Sequence, residues 1–108
     1  MPRKQSLVLA AVAALAIAFA ADVRAQDATL DALMAEYWDY YLGEYPVAAT
    51  RAGIDEFNDR LGRVTPEALA EAQATESAFL RRLSDIDRTT LSGQGRLNAE
   101  LFDWVLRD

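Results

Sequence analysis

Leu30-Asp31-Ala32-Leu33-Met34-Ala35-Glu36-Tyr37-Trp38-Asp39-Tyr40-Tyr41-Leu42-Gly43-Glu44-Tyr45-Pro46 is the stretch whose reading decides the fold. Leu30, Leu33, Met34, Tyr37, Trp38, Tyr41, Leu42 and Tyr45 recur at steps of three and four, the spacing of one α-helical face. Asp27 or Thr29 is expected to cap the start, and Asp31 sits where the positive end of the helix dipole favours an acid. At about 100° per residue, these side chains and Tyr40 sweep more than half of the circumference. Only Ala32, Ala35, Glu36 and Asp39 are left for the polar side. A surface helix of a small bundle shows a narrower stripe. This one is expected to be packed on two sides.

Downstream, Pro46 suits the first turn of a short second helix, where its missing N–H costs nothing, and Gly53 can supply the left-handed residue that ends it. Residues 54–64 have neither helical nor strand periodicity and read as an irregular connection pinned by Ile54, Phe57 and Leu61. Thr65-Pro66-Glu67 combines a hydroxyl cap, a proline at the first position and an acid in the first turn. The helix it opens, running to about Ile86, is expected to bury Ala68, Leu69, Ala72, Phe79, Leu80, Leu83 and Ile86. Glu76 projects from the middle of that face, either as a site carboxylate or as the partner of an arginine such as Arg51 or Arg96. Residues 87–95 form a polar break in which Ser92-Gly93-Gln94-Gly95 suits a loop and a cap. A last helix begins near Arg96, with Leu97, Leu101, Trp104 and Val105 on one side and Phe102 and Leu106 widening it. The pattern predicts an all-α fold, an irregular array of three to four helices.

Upstream lies a different kind of sequence. Arg3 and Lys4 precede an uninterrupted apolar run of fifteen residues, 7–21, about half of them alanine. Val23-Arg24-Ala25 then places tolerable residues at the −3 and −1 positions of a signal-peptidase site, with Gln26 as the new terminus. Residues 1–25 therefore read as a cleaved signal peptide, and the processed protein is expected to be periplasmic or secreted. The apolar run is shorter than the roughly 20 residues of a membrane span, so no stable anchor is expected, an uncleaved anchor being the alternative. No twin arginine is present, which favours the general secretory route, and no Cys is available for a lipid anchor.

Residues 26–108 carry eight Arg, no Lys and sixteen acids, so their net charge is 8 − 16 = −8. Such a surface repels phosphate backbones and anionic lipid alike, and nucleic acid is not an expected partner. With no Cys the exported segment forms no disulfide and relies on packing alone, and a domain of this size has a marginal core.

The chain contains no His either. The common catalytic zinc sites and every His-dependent triad are therefore not built from these residues. Asp55, Glu56 and Asp59 only faintly suggest a calcium loop, because the required glycine is missing and the position of the bidentate acid is Pro66. Tyr37, Trp38, Tyr41 and Tyr45 could serve as a sugar platform, but their spacing is that of a buried helix face. Asn58 and Asn98 lie outside any glycosylation signal.

Tyr37-Trp38-x-x-Tyr41-Leu42-x-Glu44-x-Pro46-x-x-Ala49-Thr50-x-x-Gly53 is similar to the opening of the secreted bacterial family catalogued as domain of unknown function 885. Phe57-Asn58-Asp59-Arg60-Leu61, Thr65-Pro66-Glu67-Ala68-Leu69, Leu83-x-x-Ile86-Asp87, Leu91-Ser92 and Arg96-Leu97-Asn98 follow in the family's order. Singly these are ordinary helix starts and stops; their order along nearly all of residues 26–108 carries the likeness. Gly93-Gln94-Gly95 departs from it, since members more often carry proline and acids there.

The resemblance implies a protein of several hundred residues, mostly helical and zincin-like, with a His-Glu-x-x-His helix in its C-terminal half. That helix has no counterpart here, so no catalytic or metal-binding residue is carried onto this sequence. The implied role of residues 26–108 is an N-terminal scaffold of an exported metallopeptidase-like hydrolase, inactive by itself. Its partner is the remainder of the parent polypeptide, and the complete protein acts on peptide. No cofactor is expected in this chain, zinc being implied for the full-length family. Whether Tyr40 or Arg51 touches substrate there stays open. The alternative is a self-contained periplasmic adaptor or inhibitor.

Overall fold

Neither proline nor glycine interrupts the chain between Pro2 and Gly43, and one helix runs through the whole of that distance. The computed structural model describes residues 2–108, and they are all-α: α1 (Pro2–Glu44), α2 (Pro46–Arg51), α3 (Pro66–Ser84) and α4 (Gly93–Arg107). Single 3-10 turns stand at Asp55–Phe57 and Arg88–Thr90, and no strand occurs among the described residues. The expected separate start of a helix near Leu30 is not made. Thr29 lies mid-helix, its Oγ1 donating to the Ala25 carbonyl at 3.0 Å, and the Asp27 carboxylate is engaged elsewhere. Nothing in residues 21–29 breaks a helix, so the apolar leader and the aromatic stretch propagate as one.

α1 sets the shape, 75 Å in the long direction against 26 and 15 Å in the others. Its leader half is open to its surroundings: Leu7, Val8, Leu9, Val12, Leu15, Ile17 and Phe19 are all exposed. A helix apolar on every side and unburied is matched to a membrane or to the secretion machinery. Because the helix continues through the polar flanks of the apolar run, it is long and apolar enough to cross a bilayer, a test that a signal sequence also passes.

The core gathers around the other half. Leu30 and Leu33 of α1, Phe79 and Leu83 of α3, Ile86, Leu91, and Ala99 and Phe102 of α4 are buried together. Tyr37 joins them, its ring 5.3 Å from Phe79 in an edge-on contact and 5.2 Å from Phe102. Burying a leucine or phenylalanine fully contributes about 1.5–3 kcal/mol, so this cluster carries most of the fold's stability. On the far side of α1, Leu42 is buried beside Pro46 and Ala49 of α2.

Chain turns follow the local chemistry. Pro46 opens α2, and Gly53, at φ 83°, closes it. The Gly53 N–H donates to Thr50 O and the Ile54 N–H to Ala49 O, the paired bonds of a Schellman stop. Thr65 caps α3 by accepting from the Ala68 N–H at 3.1 Å, and Ser92 caps α4 by accepting from the Gly95 N–H at 2.9 Å. The connection between α2 and α3 is not held by Leu61, which is 85% exposed. Arg63 holds it instead, reaching Glu44 at 3.0 Å and Glu71 at 2.9 Å. Leu69 is likewise open, at 56%. It lies about 70° round α3 from the centre of the Ala68–Ala72–Phe79–Leu83 face, beyond what α1 covers.

The largest departure is in α4. The stripe of Leu97, Leu101, Trp104 and Val105 faces outward, and Gly95, Ala99 and Phe102 face the core. Close approach explains the inversion. The Asp27 carboxylate packs directly on Gly95 and accepts the Ser92 N–H at 3.0 Å, and only a small residue admits it there. A Cβ on Gly95 would collide with Asp27 Oδ1 and stand 3.2 Å from Leu91 Cβ. Gly95→Ala is therefore expected to lower stability by about 1 kcal/mol net of its helix-propensity gain, through loss of the Asp27 bond, shifting the thermal midpoint down by roughly 4–8 °C. Gly93→Ala, in open space, should not lower it, and equal midpoints for the two variants would contradict the contact.

Candidate aromatic groove

Turning α4 outward leaves one edge of α1 uncovered. Met34, Tyr37, Trp38 and Tyr41 follow one another at helical steps, and with Phe102 and Val105 of α4 they line an apolar groove of about 470 Å³. Trp38 stacks on Tyr41, centroids 5.9 Å apart and planes within 14°. Tyr37, Tyr41 and Val105 also wall a second hollow of about 380 Å³, completed by Tyr45, Glu76, Trp104, Leu106 and Asp108. Trp104 is 65% exposed, and Leu101 and Val105 of the same helix are exposed as well.

Glu76 is charged, as is Asp108 at the end of the same hollow. It does not meet Arg51 or Arg96, as the sequence suggests. Its Oε1 accepts from the Tyr45 hydroxyl at 2.7 Å. The reason is angular: Glu76 sits on the flank of α3 that faces the end of α1, where Tyr45 follows Tyr41 by one turn. Burial, then donation to Glu76, then the charge of Glu76 hold the Tyr45 phenol well above its ordinary value. Burial and Glu76 raise Tyr37 as well. Tyr40 is pushed up to about 12, first by burial and then by the charges of Glu76 and Glu44. Its hydroxyl is enclosed and has no hydrogen-bond partner among the described residues.

A second groove, about 530 Å³, lies across α1 between Glu36, Tyr40, Thr75, Phe79 and Arg82. Here the charges are closed on each other. Arg82 donates to both Glu36 oxygens, at 2.8 and 2.7 Å, with its guanidinium 5.5 Å from the Phe79 ring. Arg82 holds the Glu36 carboxyl below its ordinary range.

The remaining sequence candidates do not converge. Asp55 accepts from the Asn58 amide at 3.1 Å, Asp59 lies 4.0 Å from Arg60, and no metal-holding group of three or more His, Cys, Asp or Glu forms among the described residues. Ala25 is exposed and Gln26 half-buried inside α1, two residues and one residue before the docked Asp27. Arg51 is exposed on α2. The tyrosine stripe read as a sugar platform divides: Tyr37 belongs to the core edge, while Trp38 and Tyr45 remain open. What the groove and the adjoining hollow offer is contact area with the carboxylates of Glu76 and Asp108, a surface for binding.

No protein-family model matches the chain, and neither a curated protein nor a solved structure matches it. The family resemblance rests on the quoted residues alone.

Tyr40 supplies a direct check on the packing. A phenol whose value is raised on folding contributes its stability in full below about pH 10 and loses it as the pH climbs toward 12. Alkaline titration of tyrosinate absorbance should show a high-pH component to which Tyr40 and Tyr45 both contribute, and Tyr40→Phe should reduce its amplitude while the Tyr45 part remains. An unchanged amplitude in that variant would contradict the burial of Tyr40.

Proposed function

We propose that the chain is exported under the direction of residues 1–25, with cleavage between Ala25 and Gln26. In this reading residues 26–108 form a non-catalytic N-terminal scaffold of a longer periplasmic hydrolase. The open apolar side chains of Trp38, Leu97, Leu101, Trp104 and Val105 carry the reading, because such exposure suits helices that pack on more polypeptide. An exposed patch of this kind marks an interface, and in the scaffold reading it is covered by later helices of the same protein. Zinc and peptide hydrolysis enter through the resemblance to the domain of unknown function 885 family. Neither His nor Cys occurs among the 108 residues, so imidazole or thiolate ligands would come from polypeptide beyond them.

One observation favours the second reading, a self-contained helical adaptor. Thr65, Asp87 and Ser92 cap their own helices, and Arg82 and Arg63 tie α3 to α1 without outside help.

N-terminal sequencing of protein secreted by a bacterial host should begin at Gln26; a retained leader would assign α1 to a membrane span. The processed chain should self-associate in sedimentation velocity and bind no stoichiometric zinc, and Leu101→Glu with Trp104→Glu should restore the monomer without loss of helical circular dichroism. A monomer with a sharp thermal transition would favour the adaptor, and tight zinc binding would overturn the scaffold reading.

A further inference from the structure

Within residues 26–108 each ion pair is made by arginine, since lysine is absent there. Two sites on opposite sides of α1 share a design. At the first, a carboxylate (Glu36) stands beside an aromatic face (Phe79), and Arg82 fills the space with a two-point bond to the acid and its plane near the ring. At the second, Glu76 stands beside Tyr37, Tyr41, Tyr45 and Trp104, and no Arg or Lys of the described residues pairs with it.

A carboxylate offers about four lone-pair sites, and Tyr45 uses one of Glu76's. The rings give π-faces that attract a cation, and Asp108 adds negative charge at the mouth. Guanidinium is the cation that fits both features, being planar, able to bond a carboxylate at two points and to lie on an aromatic face. The net charge of −8 over residues 26–108 favours the approach of a basic segment.

We infer that the hollow walled by Tyr37, Tyr41, Tyr45 and Trp104 is a socket for an arginine side chain, with Glu76 as its counter-charge. The arginine is carried by the later segment of the parent polypeptide that covers the groove, so the inference rests on the scaffold reading. Apolar neighbours of that arginine fill the adjoining hollow between Trp38 and Val105. The socket fixes the register of the covering helix, which apolar contact alone leaves free to slide.

The full 108-residue chain in phosphatidylcholine nanodiscs, labelled at the tryptophan indoles, is titrated with N-acetyl-arginine amide and separately with its neutral isostere N-acetyl-citrulline amide. The Trp104 indole N–H resonance should shift saturably with the arginine probe, and about tenfold more weakly or not at all with citrulline. Glu76→Gln keeps an acceptor for Tyr45 and removes the charge, and it should weaken the arginine response by a similar factor while leaving the Trp38 resonance in place. No saturable shift, an equal response to citrulline, or an unaltered response in Glu76→Gln would each overturn the socket. Because the citrulline comparison uses the unaltered chain, it decides even if the variant misfolds. An unaltered processed chain that stays monomeric in the earlier test would remove the covering segment instead, leaving arginine affinity intact.

Discussion

Leu30 and Leu83 are the largest side chains to be almost wholly withdrawn from water among the described residues, and the rest of the molecule is arranged by that burial. It fixes the second half of α1 against α3, and Phe102 and Ala99 of α4 close over the same point. About 1.5–3 kcal/mol per buried side chain is the scale of the effect, large beside the tenths contributed by exposed ion pairs. The pairs Arg82–Glu36 and Arg63–Glu44 then orient helices that the core has already brought together. Once Leu30 and Leu33 face inward, geometry leaves no choice for Trp38, Tyr41 and Tyr45. They lie farther round the helix and border the groove.

The small residues decide what the large ones cannot. Gly95 lets Asp27 and the first turn of α4 meet, and Ala99 follows one turn later on the same side. The heavier stripe of α4 is thereby turned out. This is why α4 was illegible as a sequence while α2 and α3 were not. Pro46, Gly53 and Thr65-Pro66 act locally, and each does in the structure what its chemistry dictates. A face read by size selects Leu97, Leu101 and Trp104, whereas packing selected Gly95 and Ala99. The glycine-x-x-x-alanine spacing was the available signal, a mark of close helix approach.

Of the groove itself, the tyrosine and tryptophan positions on α1 could be read from spacing, and their unequal burial could not. Glu76 was legible as unusual, a carboxylate in an apolar flank. Its partner was not, because Tyr45 lies 31 residues away and meets it only after α1 and α3 pack. The leader was plain in composition, yet its fusion with α1 into a single helix depends on the absence of any breaker between residues 21 and 29, which is easily passed over when two segments are assigned different roles.

The central physical claim is that this chain's own fold leaves the Trp38–Leu101–Trp104 face to water while enclosing Phe79 and Phe102. Hydroxyl-radical footprinting of the 108-residue chain held one copy per nanodisc, so that self-association cannot shield it, and read by mass spectrometry, measures this most directly. Rapid oxidation at Trp104, Leu101 and Trp38 with protection of Phe79 and Phe102 is the expected pattern. Trp104 protected to the same degree as Phe79 would contradict it, because α4 would then present its heavier stripe to the core.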